Sequence, residues 1–121
     1  MDKPRVLLID DEEELVHTLV ERLAYRNIEA VAEMDGHSAL ERITTEQFDV
    51  VIADLKMPGL SGMEVVEILR ERYPHVKILL ITGHGRLDEE IEMDIEGVHE
   101  VLIKPFKIDN LVASIHQALA N

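Results

Sequence analysis

Apolar and polar positions follow two rhythms along this chain. Short runs at Val6–Ile9, Val50–Ala53, Val76–Ile81 and Val101–Ile103 are apolar with little interruption. Runs of that length suit strands covered on both faces of a sheet. Ile28–Met34 is a more mixed stretch and reads as a further strand. Between these runs the apolar residues recur at helical spacing. Leu15, Val16, Leu19, Val20 and Leu23 mark a first helix, and Ala39, Leu40 and Ile43 a second. Met63, Val66 and Leu69 mark a third, Leu87, Ile91 and Ile95 a fourth, and Leu111, Val112, Ile115 and Leu119 a fifth. Punctuation agrees. Asp35-Gly-His-Ser opens the second helix, Pro74 follows the third, Gly97 closes the fourth, and Asp109 is expected to cap the fifth.

Strand and helix therefore alternate five times. That order predicts an α/β fold, a doubly wound five-stranded parallel sheet with five helices. No internal repeat, low-complexity segment or linker interrupts it, so residues 1–121 are expected to form one domain. A domain of this length buries roughly two-thirds of its unfolded surface, enough for a core without covalent staples.

Composition narrows the function classes. The chain has no cysteine, which excludes disulfides and thiolate metal sites and suits a reducing, cytoplasmic setting. Its N-terminus lacks the pattern of a secretory signal, and no apolar run is long enough to span a bilayer. A net charge of −13 disfavours direct binding to nucleic acid, because phosphate backbones repel such a surface. Most of that charge is an ordinary solvated surface. The chemistry lies in where a few of the acids fall.

In an open doubly wound sheet, ligands bind beyond the carboxyl ends of the strands. The first strand ends in Asp10-Asp11, the third in Asp54, the fourth in Thr82-Gly83 and the fifth in Lys104-Pro105. Three carboxylates, a hydroxyl and an ammonium are thus expected on one edge. Carboxylates that close repel one another unless a proton or a cation intervenes. Magnesium suits such a site, because it takes a few carboxylate oxygens, keeps waters and accepts a phosphate oxygen. Lys104 supplies a point charge for an oxyanion, and Thr82 a hydroxyl donor. Asp54 can serve as a nucleophile toward phosphorus. Each signal alone has a plain structural reading. Asp10-Asp11 suits a helix start, and Asp54 before Met-Pro-Gly suits a turn. Glu12, Glu13 and Glu14 read as a solvated first turn rather than ligands. The six histidines are scattered without metal-ligand spacing, and Met57, Met63 and Met93 read as packing.

Taken in order, Asp10-Asp11, Asp54 with DLKMPGLSG, Thr82 and Lys104-Pro105-Phe106 resemble the receiver domain of two-component response regulators over essentially the whole chain. The TGHG and KPF stretches are most similar to receivers of enhancer-binding transcriptional activators. The resemblance implies a flavodoxin-like sheet and a phosphorylation-dependent switch rather than an enzyme with metabolite turnover. Asp54 would accept a phosphoryl group from the phosphohistidine of a sensor histidine kinase. Asp10, Asp11, Asp54 and the carbonyl of Lys56 would hold Mg2+. Thr82 and Lys104 would contact the phosphoryl group, and the Lys104–Pro105 peptide would be cis. An output domain or effector would read the surface of the fourth helix, fifth strand and fifth helix, and a homodimer through those helices is compatible with it. Side chains at Lys56 and His84 would modulate hydrolysis of the acyl phosphate.

One departure stands out. Receivers usually carry an aromatic residue three positions before the lysine, and here that residue is Val101. The output would then rest on other residues, such as His84 or His99. This keeps alive a receiver that acts purely as a docking module. Two rivals from other classes fare worse. An aspartyl phosphohydrolase of the haloacid-dehalogenase type wants a second Asp where Lys56 stands. A flavodoxin-like electron carrier wants a hydroxyl-rich phosphate loop after the first strand and aromatics for the flavin, and the chain is 3% aromatic. If the acid cluster is real, added magnesium and raised pH are both expected to stabilise the fold.

Overall fold

The computed structural model describes residues 3–83 and 95–121. Five parallel strands form one sheet in the order β2-β1-β3-β4-β5: β1 (Arg5–Ile9), β2 (Glu29–Glu33), β3 (Val50–Asp54), β4 (Lys77–Thr82) and β5 (Glu100–Ile103). The helices described are α1 (Glu13–Ala24), α2 (Gly36–Ile43), α3 (Gly62–Arg72) and α4 (Ile108–Ala120). The doubly wound α/β sheet expected from the alternation is thus present. The last helix, α4, is the fifth one anticipated. The segment anticipated as a fourth helix lies almost wholly in residues 84–94, outside the described residues, as do His84 and Met93.

Period-two geometry sorts the strand residues onto two faces. Leu7, Ile9, Val51, Ala53, Ile78, Leu80 and Val101 pack with Ala39 and Ile43 of α2 and with Val65, Val66 and Leu69 of α3. Val6, Leu8, Val50, Ile52, Leu79, Ile81 and Leu102 pack with Val16, Leu19 and Leu23 of α1 and with Leu111 and Ile115 of α4. Every residue of β3 is buried, which explains its unbroken apolar sequence up to Asp54. Burying each large aliphatic side chain contributes about 1.5–3 kcal/mol against conformational entropy, so the two faces dominate the fold's stability.

Several boundaries differ from the sequence reading for identifiable reasons. Strand β3 includes Asp54, because Leu55 N–H still donates to Ile81 O at 2.8 Å and carries the ladder past it. Asp109 is not the cap of the last helix. Lys107 occupies that position, and Asp109 sits in the first turn, paired with Arg26 at 2.5 Å. Asp35 does cap α2, its Oδ1 accepting from Ser38 N–H at 2.8 Å.

Candidate functional site

The strand order reverses between β1 and β3, and both strands end there in acid. Ile9 pairs with Ala53 in the parallel register, which sets Asp10 beside Asp54 at the same edge. Asp10 is fully buried and Asp54 is 6% exposed. Asp10 Oδ1 accepts the backbone N–H of Glu12 at 2.9 Å, a local bond that turns the chain into α1. Asp54 Oδ1 accepts the N–H of Lys56 at 3.3 Å, so the following loop folds back over its own carboxylate.

The first turn of α3 is held against the same strand end. Gly62 N–H donates to Leu55 O at 3.1 Å, and a Cβ at Gly62 would lie 2.3 Å from the carbonyl oxygen of Asp54. Only glycine permits that approach. Ser61 and Glu64 close a capping box at the start of α3, which fixes the helix there.

Lys104 reaches in from the end of β5. Thr82 pairs with Ile103, and Lys104 N–H donates to Thr82 O at 2.8 Å. The Lys104–Pro105 peptide is cis. The ammonium lies among three carboxylates. It contacts Glu12 Oε1 most closely, Asp10 Oδ2 at 2.8 Å and Asp54 Oδ2 at 3.3 Å. Despite the 2.8 Å approach of the ammonium, Asp10 Oδ2 has no hydrogen-bond donor among the described residues, and Thr82 Oγ1 has no partner among them either. Carboxylate oxygens of Asp10, Glu12 and Asp54 lie within 4.8 Å of one another.

One ammonium cannot neutralise three acids. Burial pushes the Asp54 carboxyl above its usual range, and the charge of Asp10 pushes the same way. Lys104 and the Lys56 N–H oppose the rise without cancelling it. An isolated, solvated Asp–Lys pair would drive the carboxyl down; here burial, and after it the charge of Asp10, outweighs the ammonium. Burial alone would lower the Lys104 ammonium, but its contacts with Asp10 and Glu12 and the charge of Asp54 outweigh that and hold it above the usual lysine value.

These features fit a small divalent cation with oxygen ligands. The carboxylates are close, they repel, and a buried carboxylate oxygen and a buried hydroxyl oxygen lack hydrogen-bond partners among the described residues. The sequence-derived residues Asp10, Asp54, Thr82 and Lys104 converge at this edge. Asp11 is exposed and stands outside the three-acid cluster. Glu12 takes part instead, although its place in a run of acids reads as solvated surface. The signal that distinguishes it is positional: as N-cap of α1, three residues beyond the end of β1, it projects from the turn rather than from the helix face. Val101 is buried on the sheet face that packs against α2 and α3, paired with Leu80.

The model of the family described as "Response regulator receiver domain" matches residues 6–116. The response regulator protein FleR of Pseudomonas aeruginosa is 36% identical over 103 residues, covering 85% of this chain and 22% of that protein. The C4-dicarboxylate transport transcriptional regulatory protein DctD of the same organism is 34% identical over 116 residues, covering 95% of this chain and 25% of that protein. The chain therefore spans about a quarter of the length of these two relatives. Among solved structures, a response regulator receiver domain protein from Clostridium thermocellum matches with a TM-score of 0.87 and 33% identity, covering 97% of this chain and 94% of that one.

Proposed function

Because the chain belongs to the response regulator receiver domain family, we propose that it is a phosphorylation-dependent signalling switch whose phosphoacceptor is Asp54. The observation that carries this reading is the Asp54 carboxylate at the end of the central strand, buried beside Asp10 and 3.3 Å from the Lys104 ammonium. The donor is the phosphohistidine of a sensor histidine kinase. An oxygen of Asp54 attacks phosphorus, the P–N bond breaks, and the imidazole leaves with the electron pair and takes a proton from solvent. The product is an acyl phosphate on Asp54.

Each residue has a part in that transfer. The rigid end of β3 and the Lys56 N–H on Oδ1 orient the carboxylate, leaving Oδ2 toward Lys104. Lys104 follows the charge onto the transferred phosphoryl oxygens. The Thr82 hydroxyl, buried and without a partner among the described residues, would donate to one of them. Asp10 and Asp54, with Asp11 and the Lys56 carbonyl, would hold Mg2+. When bound it supplies charge neutralisation for the acids and for the incoming phosphoryl group. The output surface comprises β5, α4 and the segment before β5. In a longer regulator that surface would meet an output domain or effector.

The test is intact mass after incubation with acetyl phosphate and Mg2+, on the native chain and on Asp54→Asn. The expected result is one added phosphoryl group on the native chain and none on the variant. Label persisting on Asp54→Asn would move the acceptor elsewhere. Absence of label on both, with Mg2+ binding intact, would favour a receiver that docks a partner without the chemistry.

A further inference from the structure

The Lys104 ammonium is closest not to the two buried acids but to Glu12, whose side chain is 59% exposed. Glu12 is the N-cap residue of α1, with φ −86° and ψ 98°. Side chains at that position usually cap the helix, as Asp35 and Ser61 do on α2 and α3. Glu12 makes no such bond. Its backbone does the structural work, its N–H donating to Asp10 and its carbonyl accepting from Val16 N–H at 3.1 Å. The carboxylate is left for Lys104, across 92 positions of sequence.

One ammonium charge is shared here among three carboxylates: it donates to Glu12 and Asp54 and lies 2.8 Å from Asp10 Oδ2. A phosphoryl group on Asp54 carries a charge of about −2 where the free carboxylate carried one negative charge, and its oxygens must draw on the same ammonium. One carboxylate then has to yield. Asp10 is fully buried, and Asp54 is the acceptor itself. Glu12, on the open side, can return to solvent at the least cost.

Resting on the phosphoacceptor reading of Asp54, we propose that Glu12 is a latch: it holds the Lys104 ammonium over Asp10 and Asp54 in the unphosphorylated chain, and phosphorylation requires Lys104 to be released from it. Glu12 is thus a positioning residue that sets how readily the site accepts a phosphoryl group. A neutral amide at this position can still accept a hydrogen bond but gives up the charge-assisted part of the contact.

The experiment follows labelling by acetyl phosphate and Mg2+ in the native chain, Glu12→Gln, Glu13→Gln, Lys104→Ala and the Glu12→Gln/Lys104→Ala pair. Glu13 is the control for net charge, because its carboxylate faces His17 on its own helix at 3.7 Å. Glu12→Gln should label about fivefold faster than the native chain, the size of one partly exposed ion pair. Glu13→Gln should match the native chain. In the Lys104→Ala background the same Glu12 change should have no further effect, because the latch acts through the ammonium. A second readout needs no phosphoryl donor. In the metal-free chain the NMR order parameter of the Lys104 ε-methylene should fall in Glu12→Gln and hold in Glu13→Gln. An equal acceleration with and without Lys104 would show simple repulsion of the anionic donor and overturn the latch. Unchanged Lys104 order in Glu12→Gln, or native-like labelling of it, would overturn it too while leaving Asp54 as acceptor. Failure of the native chain to label would remove the phosphoacceptor reading, and the latch with it.

Discussion

Asp54 is held in a place that costs stability. Its carboxyl is pushed above the usual range first by burial and then by Asp10. A group whose folded pKa is raised contributes its stability fully below the unfolded value, and loses it as pH rises through the folded value. For Asp54 that window opens near the ordinary carboxylate pKa of about 4 and extends upward. The sequence-based expectation that raised pH would stabilise the fold is therefore reversed at this residue. Asp54→Asn removes the ionisation while keeping the shape, so in metal-free buffer at neutral pH it should melt several degrees above the native chain. At roughly 4 °C per kcal/mol for a domain of this size, a relief of ~1 kcal/mol is readily measured. The gap should close as pH falls below the window, because the native carboxyl is then protonated too. A gap of constant size down to pH 3, or a variant that melts lower at neutral pH, would contradict the raised Asp54. The comparison between variants matters, because Asp35 and Glu46 run the other way. Hydrogen bonds from Ser38 lower Asp35, and the Arg5 contact lowers Glu46, so the stability they contribute fades with acid in both proteins.

At the scale of elements, the start of α3 decides how well the acceptor is held. A methyl at Gly62 would meet the Asp54 carbonyl at 2.3 Å and the Leu55 Cα at 2.8 Å, both backbone atoms with no rotamer to escape into. Gly62→Ala should therefore cost about 1–3 kcal/mol by overpacking, despite alanine's better helix propensity. It should also slow labelling, because the strand end must shift. Ser61→Ala, which removes the cap without crowding Asp54, should cost about 1 kcal/mol and leave the labelling rate near native. Chemical denaturation with mass-spectrometric labelling separates the two, and equal slowing in both variants would defeat the steric account. These elements differ in how plainly the sequence announces them. The inner strands β1, β3 and β4 were legible because both faces are covered, so their runs are almost wholly apolar, whereas β2 at the edge begins and ends in glutamate and reads as a mixed stretch. The helix ends were less legible where capping chemistry competes: Asp109 has the better capping side chain, yet the chain turns at Lys107 and Asp109 pairs with Arg26. Val101 shows the limit of local pattern in the other sense. Its strand, its burial and its departure from the family's aromatic were readable, whereas its packing with the α2–α3 face required the fold.

Across the whole molecule, the site joins residues 10, 12, 54, 82 and 104, and the sheet order alone brings them to one edge. Asp10, Asp54, Thr82 and Lys104 were legible because each ends an apolar run, and strand ends share an edge in this topology. Glu12 was not, because in a run of five acids from Asp10 to Glu14 no pattern says which one turns inward. That depends on the hydrogen bond from its own N–H to Asp10 and on Lys104 arriving from the last strand. The same convergence makes Lys104 the internal counterion of the cluster, which leads to a prediction about removing it. Lys104→Ala leaves Asp10, Glu12 and Asp54 facing one another without an ammonium. Breaking a largely buried pair in this way costs roughly 3 kcal/mol, so the metal-free variant should melt well below the native chain. A divalent cation that binds only the folded form stabilises by mass action, about 2.7 kcal/mol at a hundredfold excess over its Kd. The native chain should therefore gain Tm with added Mg2+, and Lys104→Ala should gain more, because no ammonium competes for the acids. Phosphoryl labelling of the variant should nevertheless be slow, because the group that follows the charge is gone. Thermal melts across a magnesium titration, set beside labelling rates, separate the two roles. A smaller magnesium gain in Lys104→Ala than in the native chain would mean that the lysine helps to build the cation site rather than occupying it.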